Sequence, residues 1–122
     1  MRRLEIKLVE GTERGVFTTK HINGNGEIIE VAPLIVIPKS EIELIELTRL
    51  SQYYFLMKSG SIAIALGYGS LYNHSSDPNA EFKEVEGSMV FSSLKGILRG
   101  EEITIDYTGG DRGMELGFTP RF

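Results

Sequence analysis

Apolar and polar residues alternate from Leu4 to Val9, which predicts a first strand; Gly11 to Gly15 breaks it, and Val16-Phe17 opens a second short one. Asn23-Gly24-Asn25-Gly26 has the composition of a tight turn, since Asn and Gly tolerate positive φ. Glu27 to Val31 and Leu34 to Ile37 read as β segments interrupted by Pro33, which lacks the N–H that a central ladder position needs. The period then changes. Ser40, with Glu43 three residues on, predicts a capped helix whose apolar face is Ile42, Ile45, Leu47, Leu50, Tyr53, Tyr54 and Met57, stopped by Gly60. Beyond it, Ile62 to Leu66, Glu81 to Val85, Met89 to Ser92 and Ile103 to Tyr107 return to strand pattern. The expected fold is mainly β, of short antiparallel sheets with one inserted helix.

Composition narrows the function classes. A length of 122 residues suits one domain, and 41% hydrophobic with 25% charged residues is an ordinary globular balance. No run approaches the roughly 20 apolar residues of a membrane span, and Met1-Arg2-Arg3-Leu4-Glu5 lacks a signal-peptide core, so an intracellular, cytoplasmic protein with no membrane partner is expected. With no cysteine and two histidines, His21 and His74, disulfides are excluded and a bound metal is not expected. The net charge of −4 argues against nucleic-acid binding, which calls for a basic stripe, and suits a lysine-rich protein partner. Gly26-Glu27-Ile28-Ile29 and Gly100-Glu101-Glu102-Ile103 echo each other; two similar turns explain this more simply than a duplication.

Candidate chemistry concentrates in two segments. Asn73-His74-Ser75-Ser76-Asp77-Pro78-Asn79 delivers polar groups and a proline-fixed turn soon after the apolar run Ile62 to Leu66, and Gly100 to Tyr107 is an alternating strand ending in a tyrosine. Taken alone, a tyrosine at a strand end is a half-buried packing residue and a histidine in a turn is hydrogen-bonded structure. A Ser-His hydrolytic pair is disfavoured because His74 and Ser75 are neighbours, whereas a nucleophile and its base converge from separate parts of a fold.

In order within one chain, the Asn-His-Ser turn with its Pro-Asn step and the Gly-Glu-Glu-Ile-x-x-x-Tyr strand resemble the signature of SET-domain protein lysine methyltransferases. Gly15-Val16-Phe17, Gly26-Glu27 and Tyr53-Tyr54-Phe55 extend the resemblance over nearly the whole length. It implies a single SET domain over residues 1–122, of the β-clip type with a C-terminal pseudoknot, using S-adenosylmethionine and no metal to methylate a lysine amine of a histone, ribosomal or other protein. By resemblance, Tyr107 is the catalytic residue. Arg14, Gly15, Val16, Tyr53, Asn73, His74 and Phe118 line the cofactor, while Tyr68, Phe82 and Tyr107 line the lysine. Phe82 lies eight residues after His74, at a spacing similar to the family position where Phe rather than Tyr lets methylation proceed to di- or trimethyllysine. The sequence departs from the family at Glu13, where a glycine is common, and in lacking flanking zinc-binding cysteines, which leaves 111–122, with Phe118 and Phe122, to complete the channel. Two other readings stay open: a catalytically inactive SET-like module that binds a lysine-containing segment, and a β-rich assembly subunit. A homodimer is also open.

Overall fold

A computed structural model describes residues 3–11 and 14–108. Two sheets carry the fold. In the first, β1 (Leu4–Lys7) pairs antiparallel with β2 (Gly15–Thr18), and β2 pairs antiparallel with β9 (Glu102–Ile105). On its other side β9 runs parallel to the two-residue β6 (Asn73–His74), giving the order β1-β2-β9-β6. The last described strand is thus inserted between an early one and a middle one.

The second sheet is antiparallel, in the order β4-β5-β3-β8-β7, with β3 (Ile28–Ile37) at its centre. β7 (Ala80–Val85) and β8 (Ser88–Ser93) form the hairpin their alternation predicts, closed by Glu86 and Gly87. Both turn residues have positive φ, the backbone of a two-residue turn that follows the right-handed strand twist. The sheet curls until its edge strands β4 (Tyr54–Leu56) and β7 meet through Phe55 and Phe82, whose rings stand 4.9 Å apart edge to face. Phe55, Phe91, Tyr72, Val16, Ile103 and Ile105 fill the space between the sheets. Burying each large apolar side chain of this kind contributes about 1.5–3 kcal/mol.

Pro33 does not interrupt β3. Up to Pro33 the strand pairs with β8, and from Leu34 it pairs with β5 (Ile62–Ala65) on its other edge. The proline occupies the handover between partners, and its carbonyl accepts the Leu66 N–H at 2.9 Å.

The expected long helix is corrected. A 3₁₀ turn at Lys39–Glu41, a single α segment, α1 (Ile42–Glu46), and a second 3₁₀ turn at Arg49–Gln52 occupy its first part, and Tyr54 onward is strand. Ser40 and Glu43 form no capping box; α1 follows Glu41, which makes no side-chain cap. Thr48 ends the helical run: its hydroxyl donates to the Ile45 carbonyl at 2.8 Å and accepts from the Leu50 N–H at 3.2 Å, capping the next turn. The predicted apolar stripe leaves Leu47 84% exposed, so a continued helix would bury little, whereas consecutive Tyr54 and Phe55 are both buried. Burying neighbours to opposite sides is what a strand does and a helix does not. Gly60 belongs to the β4–β5 turn, donating its N–H to Met57.

The Gly-Glu echo marks two like turns that face each other. Glu27 accepts the Asn23 N–H at 3.0 Å and Glu101 accepts the Leu98 N–H at 2.6 Å. Ile22 and Ile97 join the turns by reciprocal main-chain bonds of 2.8 and 2.9 Å. Among the described residues no helix is long and apolar enough to cross a membrane.

Candidate active site

The register of β6 on β9 sets Asn73 opposite Thr104 and His74 opposite Ile105, bringing the two candidate segments side by side. Asn73 is 1% exposed, and both hydrogens of its amide are used: Nδ2 donates to the Arg14 carbonyl at 2.8 Å and to Glu102 Oε2 at 2.7 Å. One side chain therefore ties the chain before β2 to β6 and β9. The main chain continues the pairing as Ser75 N–H donates to the Ile105 carbonyl at 2.8 Å.

Asn79 explains the Pro-Asn step. Its Nδ2 donates to the Glu102 carbonyl at 2.8 Å and its Oδ1 accepts the Thr104 N–H at 2.9 Å, so the amide substitutes for a neighbouring strand on β9. Gly15 fits because a Cβ there would overlap Glu102 Oε2 and lie 2.9 Å from Val9 Cγ2.

Tyr107 lies just past β9, in a turn rather than in the strand, and is 4% exposed. Its hydroxyl donates to the Tyr72 carbonyl at 2.7 Å, with the Ser70 carbonyl 3.4 Å from the same oxygen. Its N–H donates to His74 Nδ1 at 3.1 Å, and the His74 ring stacks over its ring at 6.1 Å. Since Nδ1 accepts, the neutral imidazole carries its proton on Nε2. Asp106 Oδ1 stands 3.7 Å from His74 Nδ1 and also accepts from the N–H and hydroxyl of Thr108, at 2.9 and 2.5 Å. The Tyr72 hydroxyl donates to Glu30 Oε1 at 2.7 Å; burial first, then the Glu30 charge and hydrogen bond, push its pKa far above the usual tyrosine range.

Arg14 places its guanidinium 5.3 Å from the centre of the Tyr53 ring, a cation–π arrangement. Its Nη1 is buried without a hydrogen-bond partner among the described residues. Such a donor is costly unless something accepts from it, so this corner fits a ligand carrying an acceptor such as a carboxylate. Arg14, Gly15, Tyr53, Asn73 and His74 are thereby linked through the Arg14 carbonyl and the β6–β9 ladder. Val16 is wholly enclosed in the core. Phe118 and Phe122 lie outside the described residues.

Phe82 is one ring removed from Tyr107. Phe55 bridges them, 4.9 Å from Phe82 and 5.1 Å from Tyr107, and Phe82 also lines a cleft of about 630 Å³ between the edge strands, with Leu56, Met57, Lys58, Lys83, Glu84 and Met89. Tyr68 reaches the Tyr107 neighbourhood through Glu30: its N–H donates to Glu30, which also accepts from the Tyr72 hydroxyl, while its own hydroxyl donates to the Leu4 carbonyl. Of the site-building residues that sequence reasoning did not single out, Phe55, Asn79 and Glu102 sit inside motif segments it quoted, whereas Tyr72, whose carbonyl accepts from Tyr107, does not. Among the described residues no cluster of three His, Cys, Asp or Glu could hold a metal ion.

The family model of the SET domain matches residues 13–108. Over 107 residues the chain is 34% identical to a Schizosaccharomyces pombe histone-lysine N-methyltransferase specific for lysine 37 of H3, covering 85% of this chain and 72% of the yeast protein. A crystal structure of a candidate histone methyltransferase from Plasmodium falciparum superposes with a TM-score of 0.75 at 28% identity, covering 94% of this chain and 99% of that one. An inhibitor-bound, humanized mutant of the Chaetomium thermophilum Polycomb Repressive Complex 2 gives 0.70 at 22% identity, over 89% of this chain and 15% of that one, a likeness of fold. With most of its length matched by the family model and by a relative of this identity, the chain belongs to the SET-domain family of protein-lysine methyltransferases.

Proposed function

We propose that residues 1–122 form one SET domain that transfers methyl groups from S-adenosylmethionine to a lysine amine of a protein substrate, with Tyr107 as the catalytic residue. The observation that carries this reading is the buried Tyr107 hydroxyl, donated at 2.7 Å to the Tyr72 carbonyl beside the Asn73–His74 strand. A hydroxyl fixed by main chain on one side is set to act on its other side, which is how preorganised dipoles lower a barrier.

Arg14, Gly15, Tyr53, Asn73 and His74 would hold the cofactor, with the unpartnered Arg14 Nη1 as the donor for its carboxylate. When bound, S-adenosylmethionine would supply the sulfonium methyl that passes to the lysine nitrogen, the S–CH₃ bond breaking to leave S-adenosylhomocysteine and the ammonium proton having gone to solvent. With its proton committed to the Tyr72 carbonyl, the Tyr107 oxygen works at the reacting centre as an acceptor. The aromatic wall of Tyr107, Phe55 and Phe82 serves the other reactant. A free lysine, of pKa about 10.4, arrives as an ammonium, and apolar walls favour its neutral, nucleophilic form. Holding the amine on line can itself supply about 7–11 kcal/mol of the barrier. No carboxylate need act as acid or base. Following the name of the yeast relative, histone H3 is the first protein substrate to assay, against ribosomal and other lysine-bearing proteins.

The test separates binding from chemistry. Tyr107→Phe should lower turnover by on the order of a hundredfold while S-adenosylmethionine affinity, titrated calorimetrically with a chelator present, stays within about twofold. Wild-type turnover in that variant would overturn the role of Tyr107, and absence of any heat at millimolar ligand would overturn the cofactor.

A further inference from the structure

Glu30 lies in the central strand of the larger sheet, outside every segment that carries the family resemblance, yet both its carboxylate oxygens are committed to one short stretch of chain. Oε2 accepts the Tyr68 N–H at 2.9 Å, and Oε1 accepts the Tyr72 hydroxyl at 2.7 Å. Tyr68 and Tyr72 flank the 3₁₀ turn Gly69–Leu71. Within and just after that turn are the two carbonyls, Ser70 and Tyr72, that surround the Tyr107 hydroxyl. A single carboxylate thus grips both ends of the segment that positions the Tyr107 oxygen.

Local backbone supports this grip. The register of β3 on β8 shifts between Ile28 and Glu30, an irregularity that re-aims a strand side chain. Gly67 meets Glu30 directly: a Cβ there would overlap Oε2, and its φ of +62° is one that glycine adopts without strain. Ser70 is pinned separately, its Oγ accepting the Ala65 N–H at 2.8 Å, so the turn is held from β3 and β5 together. The Tyr72 hydroxyl stays protonated throughout the neutral range and remains the donor to Glu30.

We infer that Glu30 is a positioning residue for catalysis, acting through Tyr72 and the 69–71 turn to set the place of the Tyr107 hydroxyl. This rests on the assignment of Tyr107 above. Replacing the carboxylate by an amide keeps its size and one acceptor: with the oxygen on the Tyr68 N–H, the NH₂ faces the Tyr72 hydroxyl, which must then accept and loses the acceptor for its own hydrogen. The charge-assisted bond at the Tyr72 end is replaced by a weaker neutral one of reversed direction, and the carbonyls shift with it.

The experiment is a double-mutant cycle with a spectroscopic readout. Glu30→Gln should lower kcat about 10–100-fold, the scale of an ångström-size misplacement, with the KM values of both substrates within about twofold. In the Tyr107→Phe background the same change should cost less than about twofold, because the group it positions has gone. In the free protein, the ¹³Cζ resonance of labelled Tyr107, assigned by its loss in Tyr107→Phe, should shift in Glu30→Gln, reporting an altered hydrogen bond without any turnover. Tyr72→Phe, which removes the bond at the other end, should shift the same resonance and serves if Glu30→Gln does not fold. Equal losses in both backgrounds with an unmoved resonance would reduce Glu30 to a stabilising residue and overturn the inference. Wild-type turnover in Tyr107→Phe alone would instead overturn the function on which it rests.

Discussion

Replacing Asn73 by alanine removes two hydrogen bonds from a residue that water scarcely reaches. One ends on the neutral Arg14 carbonyl and the other on the Glu102 carboxylate. The first is worth about 1 kcal/mol and the second, to a charged group, about 2 kcal/mol, the low end being apt because Glu102 is half-buried and can recover some hydration. The expected loss is about 3 kcal/mol, a fall of about 12 °C in Tm for a chain of this length. Asn73→Asp tests whether donors or volume matter. It keeps the shape but sets a second carboxylate 2.7 Å from Glu102 Oε2, if the side chain holds its place. At an effective dielectric of about 20, that repulsion is about 6 kcal/mol before either group protonates. The pair escapes by binding a proton, so its native pKa is raised above the unfolded value of about 4. Stability is then retained at low pH and lost as pH rises through the raised pKa, making Asn73→Asp worse at about pH 8 than at about pH 5 relative to wild type. Urea unfolding at both pH values measures this. A Tm within about 2 °C of wild type for Asn73→Ala, or no pH dependence of the aspartate penalty, would refute the hydrogen-bond account.

Gly15→Ala should destabilise the chain and weaken S-adenosylmethionine binding together, because Glu102 can clear the new Cβ only by leaving Asn73; thermal shift and calorimetry read the two effects. The Tyr54 hydroxyl, part-buried and donated to Glu46 at 2.7 Å, has its pKa pushed up to about 12 by desolvation and by that carboxylate, above an unfolded value of about 10. Its contribution is therefore intact below about pH 10 and lost as pH rises toward 12, a step that Tyr54→Phe should remove from alkaline unfolding curves. Phe82→Tyr puts a hydroxyl beside the Phe55–Tyr107 wall, where a held water would take the room of a further methyl. Mass spectrometry should show wild type reaching di- or trimethyllysine and the variant shifting toward monomethyllysine; identical products at unchanged rates would leave Phe82 as packing.

Strand content was legible wherever alternation and turn chemistry agreed, as in β7 and β8 with Glu86-Gly87 between them. The 40–57 stretch misled because its apolar spacing fits a helix. What decides it is the neighbouring pair Tyr54 and Phe55, both drawn inward by a sheet whose curl no local pattern encodes. Pro33 misled for a related reason: its missing donor matters only if a partner strand calls for it there, and the exchange of β8 for β5 removes that demand. In the site, Asn73, His74 and Tyr107 came from sequence resemblance, but the partners that hold them did not. Glu102 and Asn79 gain their roles from the register of β9 against a segment about thirty residues earlier, which is a property of pairing and not of composition. Glu30 was invisible because its strand alternates around it and its ligands lie some forty residues on.

The insertion of β9 between β2 and β6 also governs when the site can exist. Val16 pairs with Ile103 across almost the whole described chain, so closing that loop is an entropic cost that local hairpins such as β7–β8 do not bear. Until β9 docks, β2 and β6 each lack a neighbour, Asn73 has no Glu102, and Tyr107 has no Tyr72 carbonyl. By loop-closure cost the hairpins of the larger sheet are expected to form before β9 docks, and the proposed catalytic site only when it does. In native-state hydrogen exchange the amides of Ser75, Thr104 and Tyr107, donated to Ile105, Asn79 and His74, should open as one unit. A nascent chain that has not yet released residue 107 lacks both the strand that joins β2 to β6 and the proposed catalytic residue.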